Sequence, residues 1–392
     1  MVSDLKDALA TLQTGDFQAR WEMVKVLSTW GEAAIAPLIQ LLQAQNSDLE
    51  LQWFIARVLG EYHHPDAVMA LVRVLQQSED EDLRLAATQA LGQMGGEAIA
   101  ELSPLLASPD TQLRAVQALA QMRTDQVIPA LISVANAANL EVRMTALEAL
   151  GRYTDARIPP LLQQALHDPN PQVRQIAVTS LSYHHEEIDD SDIVQLLQPL
   201  LQDADLQVAQ RTAMALGRFR TDAALAALLA CVHAPEIAPE LKIKGVQALG
   251  WSQHPSAVKA LHQVLMGEIR DTLTGEIVQE ILMVVGRISD PMLKPEATQL
   301  LLEFLVSQAS ILDLPPLKRT LISALGQLGD VAAVPELIQL LATPDLAIRF
   351  HVIAALKQIS PDLTYAHLQT LAAQSQLDPA LADGIAIALR EW

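Results

Sequence analysis

Cysteine is nearly absent from this chain, and its apolar residues never run long enough to cross a membrane. The single cysteine, Cys231, excludes an intramolecular disulfide and any metal site made only of cysteines. The longest apolar run, Ala223 to Val232, is too short to span a bilayer, so no membrane insertion is expected. The first residues lack the charged-then-apolar pattern of a signal peptide. The sequence therefore predicts a soluble, cytoplasmic protein.

Basic residues are also scarce, with 26 Lys and Arg against 46 Asp and Glu and a net charge of −20. Nucleic acid and anionic membranes both require basic patches, so this balance argues against either as a partner. The glycines are isolated, and neither a phosphate-binding loop nor a nucleophile or metalloprotease motif is present. Nothing in the sequence specifies catalysis, and no cofactor is expected from these motifs.

What the chain does contain is a Leu-Gly step that returns every 28 to 40 residues. Counting weaker copies, such as Leu27-Ser28 and Val285-Gly286, the step occurs twelve times. A period of this length predicts a stack of identical supersecondary units, here a single continuous solenoid over residues 1-392. The full copies are Leu59-Gly60, Leu91-Gly92, Leu150-Gly151, Leu216-Gly217, Leu249-Gly250 and Leu325-Gly326.

The residues before each step predict a pair of helices. A helix-capping side chain stands twelve residues before most of the glycine positions, where it can accept from free amides of the first turn. We expect Asp110 to take this role in one shortened unit, and each glycine to end its helix in a left-handed conformation. Another apolar helix precedes each cap, which gives twelve helix pairs and an all-α fold. The caps are Asp16, Asp48, Asp80, Asn139, Asn170, Asp205, Thr274, Asp345 and Asp378.

The pattern Asp-x-x-Val-Arg-x-x-Ala-x-x-Ala-Leu-Gly, nearly complete from Asn139 to Gly151, resembles the HEAT repeat in its short bacterial form. The resemblance covers nearly the whole chain and implies an α-solenoid of about twelve two-helix repeats. It also implies that the arginine of each repeat pairs with an aspartate of an adjacent layer, forming a ladder. The arginine position is held by Arg20, Arg84, Arg114, Arg143, Arg174 and Arg349.

The repeat length is similar to that of cyanobacterial phycobilisome lyases and of HEAT-repeat proteins that associate with an A-type iron-sulfur carrier. The repeat architecture and the lack of catalytic motifs predict a non-catalytic protein-binding scaffold or adaptor, and the resemblance suggests its partner. Its partner would be an iron-sulfur carrier or another cofactor-handling protein of a photosynthetic bacterium. The alternative is a bilin lyase, or a lyase-like chaperone, acting on phycobiliproteins, and only then would the protein bind a bilin. An adaptor for light-harvesting assembly or degradation would share the physics of the scaffold.

In HEAT solenoids the second helix of each pair lines the concave face, and its fifth and ninth residues after the cap point outward. Large apolar residues at outward positions indicate an interface, and Trp and Arg are favoured interface anchors. The alternative is that tight curvature buries this row against its neighbours. We predict a protein partner on the concave face, contacting Trp21, Lys25, Trp53, Arg57, Met144, Ile243 and Phe350.

Several other features have structural explanations beside functional ones. The adjacent histidines His63-His64 and His184-His185 could bind a divalent metal ion, or simply lie in solvated loops. Cys231 is expected to be a buried small hydrophobe. Apolar side chains two residues after the glycine should pack back on their helices; the aromatic ones are Trp30, Tyr62, Tyr153, Phe219 and Trp392. Three segments break the period. They are either loops of a binding face or exposed loops that have drifted without selection. The segments are His184–Asp192, Gly267–Gly275 and Ser307–Pro316.

Overall fold

The structure is a computed structural model that describes residues 4–44, 48–184, 188–252, 254–267, 273–307, 310–374 and 376–392. Within these ranges there are twenty-four α-helices and no strand, which confirms the all-α prediction and the twelve helix pairs. Contacts divide the chain into two units, Met1–Glu187 and Ile188–Trp392. The single continuous solenoid over 1-392 stays a prediction. Among the described residues, no helix is both long and apolar enough to cross a membrane.

In the first unit the even-numbered helices, which are the second members of their pairs, pack side by side in one layer. The odd-numbered helices cover the other side of that layer, and both layers contribute to the apolar core between them. The helices of this unit are α1 (Leu5–Thr14), α2 (Phe17–Leu27), α3 (Ile35–Gln43), α4 (Leu49–Gly60), α5 (Pro65–Gln77), α6 (Glu81–Gln93), α7 (Gly96–Leu102), α8 (Pro109–Gln121), α9 (Ile128–Val134), α10 (Leu140–Leu150), α11 (Ile158–Ala165) and α12 (Pro171–Leu181).

The second unit repeats this two-layer arrangement, again with the second helices side by side. Each of the three breaks in the period includes residues outside the described ranges. The helices are α13 (Asp190–Leu197), α14 (Leu206–Leu216), α15 (Asp222–His233), α16 (Pro239–Trp251), α17 (Ala257–Met266), α18 (Gly275–Gly286), α19 (Lys294–Val306), α20 (Pro315–Leu328), α21 (Val334–Gln339), α22 (Leu346–Ile359), α23 (Pro361–Ala372) and α24 (Pro379–Glu391).

The predicted caps are confirmed at all nine positions, where the side chain accepts from an amide two or three residues on. Each such cap contributes roughly 1 kcal/mol to helix stability. The prediction for Asp110 is wrong. Pro109 is the first residue of α8, so the cap position falls on Ser108, and Asp110 lies inside the first turn. Ser108 makes no capping hydrogen bond through its side chain.

The glycine of the Leu-Gly step does not act as a left-handed cap, contrary to the prediction. Positive φ occurs among the described glycines only at Gly31, Gly95 and Gly329, none of which belongs to the step. The step glycines instead allow close approach of the next layer. A Cβ on Gly60 would lie 2.7 Å from the Ala90 Cβ and 2.9 Å from the Ala90 Cα. The repeat therefore needs glycine for space, not for conformation.

The tyrosines two residues after the step connect successive layers. The Tyr153 hydroxyl donates to the carbonyl oxygen of Met122 at 2.6 Å, and the Tyr62 hydroxyl donates to the carbonyl oxygen of Leu27. Both acceptors belong to the preceding repeat, so these side chains do more than pack on their own helices. Burial raises the pKa of Tyr62 to about 12. The Tyr62 hydroxyl therefore stays protonated and can donate at neutral pH.

Among the ion pairs that the structure describes, the predicted arginine ladder is present at three layers. Arg20 contacts Asp48 and Glu50 at 3.0 Å, and the corresponding interlayer pairs are Arg143–Asp168 at 3.1 Å and Arg349–Asp383 at 2.7 Å. At the remaining positions the guanidinium donates to main-chain carbonyls, where it satisfies the open end of a first helix or the loop after it. These contacts are Arg84 to Ser78, Arg114 to Leu75 and Arg174 to Asp168.

The Arg20–Asp48 pair predicts a pH-dependent part of the stability. The Arg20 guanidinium and the Leu51 amide hold the pKa of the Asp48 carboxyl below its usual value. Because the pKa of Asp48 is lower in the folded than in the unfolded protein, its ion pair stabilises the fold at pH values above the unfolded pKa, about 3.9. This stabilisation is lost as the pH falls through the pKa of the folded state. Asp48→Asn keeps a good helix cap and removes the charge. We expect it to lower the urea midpoint at neutral pH by the equivalent of about 0.5–1 kcal/mol, since Asp48 is mostly exposed.

At pH 3 the difference between wild type and Asp48→Asn should shrink. Asp80→Asn is the matched control, because Asp80 caps α6 and makes no ion pair among the described residues. A difference for Asp48→Asn that stays constant between pH 7 and pH 3 would contradict the ion-pair interpretation. The same change in urea midpoint for Asp48→Asn and Asp80→Asn between pH 7 and pH 3 would also contradict it.

Candidate functional site

The predicted N-terminal cluster is formed by two neighbouring second helices. Trp21 lies on α2, while Trp53 and Arg57 lie one turn apart on α4. Because α2 and α4 are adjacent in the layer, the outward residues of successive repeats meet. Phe17, one turn before Trp21, and Phe54, next to Trp53, complete a group that we call the aromatic–arginine cluster. Its five members are Phe17, Trp21, Trp53, Phe54 and Arg57.

Phe54 forms the base of the cluster. Its side chain is fully buried, and three rings meet it edge to face: Trp53 at 5.0 Å, Phe17 at 5.2 Å and Trp21 at 6.4 Å between centroids. Edge-to-face pairs at these distances are favourable beyond the apolar area that they bury. Phe17 also stacks on Trp21, with an angle of 12° between the ring planes. The rings are therefore fixed in position.

Arg57 lies between the two indoles. Its guanidinium carbon is 5.2 Å from the Trp21 ring centroid and 4.9 Å from that of Trp53, within the range of cation–π attraction. Arg57 makes no ion pair or hydrogen bond with the part of the chain that the structure describes, and its Nε is buried. A buried donor without an acceptor costs about 1–3 kcal/mol. The cluster therefore offers a positioned cation that an incoming carboxylate or carbonyl oxygen would satisfy.

The cluster presents apolar surface to solvent. Phe17 is 56% exposed and Trp21 is 37% exposed, although both contact a fully buried ring. The alternative that curvature buries the whole row of outward positions does not hold for Trp21. Trp53 and Arg57 are half-buried, so part of each side chain reaches the surface beside Phe17 and Trp21. Exposed aromatic rings that surround an arginine have the composition of an interface hot spot.

The other predicted contact residues lie outside this cluster. Lys25 is exposed one turn beyond Trp21 and makes no ring contact with any described residue. Met144 is half-buried on α10, whose neighbours in the layer are α8 and α12. Ile243, half-buried on α16, and Phe350, half exposed on α22, belong to the second unit. Their role in binding stays a prediction.

Phe17 and Phe54 were missed by the sequence analysis. Phe17 carries a signal that could have found it, because it precedes Trp21 by four residues and so shares its helix face. Phe54 also carries a signal, because the sixth residue after the cap is polar in most copies, such as Thr145 and Arg211, and is a phenylalanine only here. The site depends on the one repeat in which this position holds a phenylalanine.

The histidine pairs have structural contacts. His64 caps α5 by accepting from the Asp66 amide at 3.2 Å, and the His63 Nδ1 lies 3.3 Å from the Met94 carbonyl oxygen. His184 is buried, and His185 lies outside the described residues. Across the described ranges no group of three His, Cys, Asp or Glu side chains could hold a metal ion.

Cys231 is buried on α15, as predicted. Burial raises the pKa of its thiol to about 11. The thiolate, which is the nucleophile and the metal ligand, is therefore disfavoured at neutral pH. Cys231 acts as a small apolar side chain of the core.

Solved structures of other proteins share the fold. A Kap121p mutant matches 94% of this chain and 46% of its own length, with a TM-score of 0.61 and 14% identity. Kap95p, whose binding changes the switch loops of RanGDP, matches 99% of this chain and 66% of its own, with a TM-score of 0.52 and 15% identity. At such identities the likeness shows the fold alone.

One curated relative, phycocyanobilin lyase subunit alpha of Nostoc sp. strain PCC 7120, is 31% identical over 170 residues, which are 38% of this chain and 62% of the relative. The match thus spans less than two thirds of that relative's length. A sequence model of the family described as HEAT repeats matches residues 35–115, 99–157, 158–238 and 309–390, most of the chain. The twelve helix pairs, the capped second helices and these matches lead to one conclusion: the protein belongs to the HEAT-repeat family.

Proposed function

We propose that the protein is a non-catalytic scaffold that binds a protein partner along the face of its second helices. The aromatic–arginine cluster serves as the main anchor. The observation that carries this function is Arg57, held between two indoles with a buried Nε that lacks an acceptor. A partner that supplies an oxygen to the solvent-facing part of this half-buried guanidinium, and covers Phe17 and Trp21, gains both a charge-assisted hydrogen bond and apolar burial.

The cluster is already organised before a partner arrives. Its rings are fixed by edge-to-face contacts with Phe54, so little side-chain entropy remains to be lost on binding. Trp and Arg at the centre of such a patch each contribute about 2 kcal/mol or more in well-packed interfaces. Binding should therefore depend steeply on the cluster and weakly on exposed apolar residues elsewhere.

The decisive experiment compares partner binding by wild type and Trp21→Ala/Trp53→Ala. Proteins retained from a host lysate by the immobilised wild type are identified by mass spectrometry, and the purified partner is then titrated against each variant. We expect the double variant to bind at least tenfold more weakly while its helical circular dichroism stays unchanged. An A-type iron-sulfur carrier and an apo-phycocyanin are the first purified probes, one for each partner suggested by the sequence resemblance.

Met69→Ala/Leu363→Ala is the matched control for this experiment. Both side chains are exposed apolar residues on first helices, 42% and 47% exposed, and so lie away from the proposed face. Binding should be unchanged in this variant. Affinity that survives loss of both tryptophans would contradict the anchor, and a wild type that retains no specific protein would contradict the scaffold.

A second candidate function is that of a bilin lyase subunit or lyase-like chaperone. It is favoured by the 31% identity to a phycocyanobilin lyase subunit. Under this alternative a bilin would be bound and a phycobiliprotein would be the acceptor. Co-expression of the protein with phycocyanobilin and apo-phycocyanin tests it, because covalent attachment is visible as zinc-induced fluorescence of the denatured acceptor. Attachment that requires this protein would replace the non-catalytic scaffold with the lyase.

A further inference from the structure

The second unit contains a groove along its second helices that the sequence analysis did not identify. Two cavities adjoin at Arg287, just after the end of α18. One has a volume of about 390 Å³ and is bounded by α18, α20 and α22; the other, of about 530 Å³, is bounded by α16 and α18. We call them the arginine cavity and the tryptophan cavity, because Arg319 lines the first and Trp251 lines the second.

Among the described residues, the walls of the arginine cavity carry cations and no carboxylate. Arg287 and Arg319 both line it, together with His351. Neither arginine makes a hydrogen bond or ion pair with any described residue, although the chain as a whole has 46 acidic residues against 26 basic ones. The His351 Nδ1 faces the Ala347 carbonyl oxygen at 2.8 Å on its own helix. An anion in this cavity would be attracted by both unpaired guanidinium groups.

Neutral hydrogen-bonding groups complete the walls of the arginine cavity. The side chains of Gln279, Thr320, Ser323 and Gln327 line it. Amides and hydroxyls can donate to carboxylate oxygens or to main-chain carbonyls, while the guanidinium groups bind a carboxylate in a bidentate manner. The lining therefore suits an acidic side chain attached to a peptide backbone.

The tryptophan cavity extends the groove toward α16. Its walls include Gln247, Trp251, Glu280 and the same Arg287. Trp251 is 67% exposed, although it follows Gly250 directly and so lies near the packed end of its helix. An exposed indole of this kind gives an apolar side chain a flat surface on which to pack. Glu280 is the one carboxylate among the described residues of this wall, and it does not line the arginine cavity.

We propose that this groove binds an extended, carboxylate-rich segment of the protein partner. Its acidic side chains lie at Arg287 and Arg319, and an apolar side chain lies on Trp251. An extended segment fits better than a small anion, because the groove crosses four second helices at roughly 10 Å per helix. This inference rests on the proposed scaffold function and adds to it a recognition site for one kind of segment.

A labelled peptide tests the groove without the natural partner. The probe is a fluorescein-labelled peptide of alternating glutamate and serine with a central phenylalanine, and its control carries glutamine for glutamate. We expect fluorescence anisotropy to show binding of the glutamate peptide alone, weakened by added salt. Arg287→Gln/Arg319→Gln should weaken it at least tenfold, since hydrogen bonds to charged groups are the strong ones.

The matched control is Lys259→Gln/Arg390→Gln, which makes the same change in net charge at exposed positions outside the groove. It should bind like wild type. Trp251→Ala should weaken binding of the phenylalanine peptide but not of one with serine in that place. Because neither groove arginine has a partner in the described structure, their removal should leave the melting temperature unchanged.

Several outcomes would overturn the proposal. Failure of the wild type to bind the glutamate peptide in low salt, or equal binding of the glutamine peptide, would show that the groove does not recognise carboxylates. Unchanged binding by Arg287→Gln/Arg319→Gln would place the peptide elsewhere. Displacement by inorganic phosphate or citrate at the concentration of the peptide itself would indicate a small-anion site. Trp21→Ala/Trp53→Ala should leave peptide binding unchanged. A failure of the groove proposal can therefore be distinguished from a failure of the N-terminal anchor.

Discussion

Phe54→Ala is expected to lower the free energy of unfolding of the first unit by about 3–5 kcal/mol, the usual range for a phenylalanine deleted from a core. Phe54 is fully buried, and three aromatic rings of the cluster pack against it. Its removal leaves a cavity that those rings cannot fill, because two of them are held on another helix. Trp21 loses the ring that it packs against, and Arg57 in turn lies over Trp21.

Urea unfolding followed by circular dichroism and by tryptophan fluorescence would measure this effect, since Trp21 and Trp53 report on the affected region. Phe350→Ala is the control, because Phe350 is 50% exposed and its loss should change the midpoint very little. We also expect Phe54→Ala to weaken partner binding under conditions in which the helices remain folded. Similar midpoints for the two variants would contradict the packing of the cluster.

Gly60→Ala is expected to destabilise the first unit by about 1–3 kcal/mol, the cost of overpacking. Intrinsic propensity alone would favour alanine in a helix by up to about 1 kcal/mol. The clash outweighs it, because the new Cβ would lie within 3 Å of both the Cα and the Cβ of Ala90. Backbone atoms cannot move aside as the end of a flexible side chain can.

A second substitution separates the two explanations of this glycine. Ala90→Gly removes the opposing methyl group, so Gly60→Ala/Ala90→Gly should recover part of the loss, measured as the urea midpoint in a double-mutant cycle. Gly275→Ala is the control, because a Cβ there would meet only leucine side-chain ends at 3.9 Å and 4.0 Å. It should be neutral or stabilising. If Gly60→Ala behaved like Gly275→Ala, the close approach of the layers would not be the reason for the step.

Local features of this fold could be predicted from the sequence, whereas contacts between repeats could not. The caps at Asp16 or Asp205 act within one turn, so the sequence carries all that is needed to identify them. The role of Gly60 depends on Ala90, thirty residues away, and a local rule about helix ends gave the wrong reason for a correctly identified residue. The error at Asp110 is also local in origin, because Pro109 moves the helix start.

The same distinction holds for the candidate site. Helical spacing placed Trp21, Trp53 and Arg57 on one face, and the structure brings them together. Spacing could not show that Phe54 supports them from the core. It also could not single out Arg287 or Trp251, because the groove is lined by residues of several second helices, which are far apart in the sequence. Pairing of charges across repeats is a three-dimensional property.

The close contact between layers has a consequence for how such a chain can grow. The helix α20 carries both halves of the contact, since Ala324 faces Gly286 of the repeat before it and Gly326 faces Ala355 of the repeat after it. A gene duplication that copies one whole helix pair of this kind therefore copies a matched surface for each neighbour. An insertion into the second helix that is not a whole repeat long would break the match with one neighbour. The spacing of one alanine and one glycine on the second helix thus defines the unit by which the chain can be lengthened.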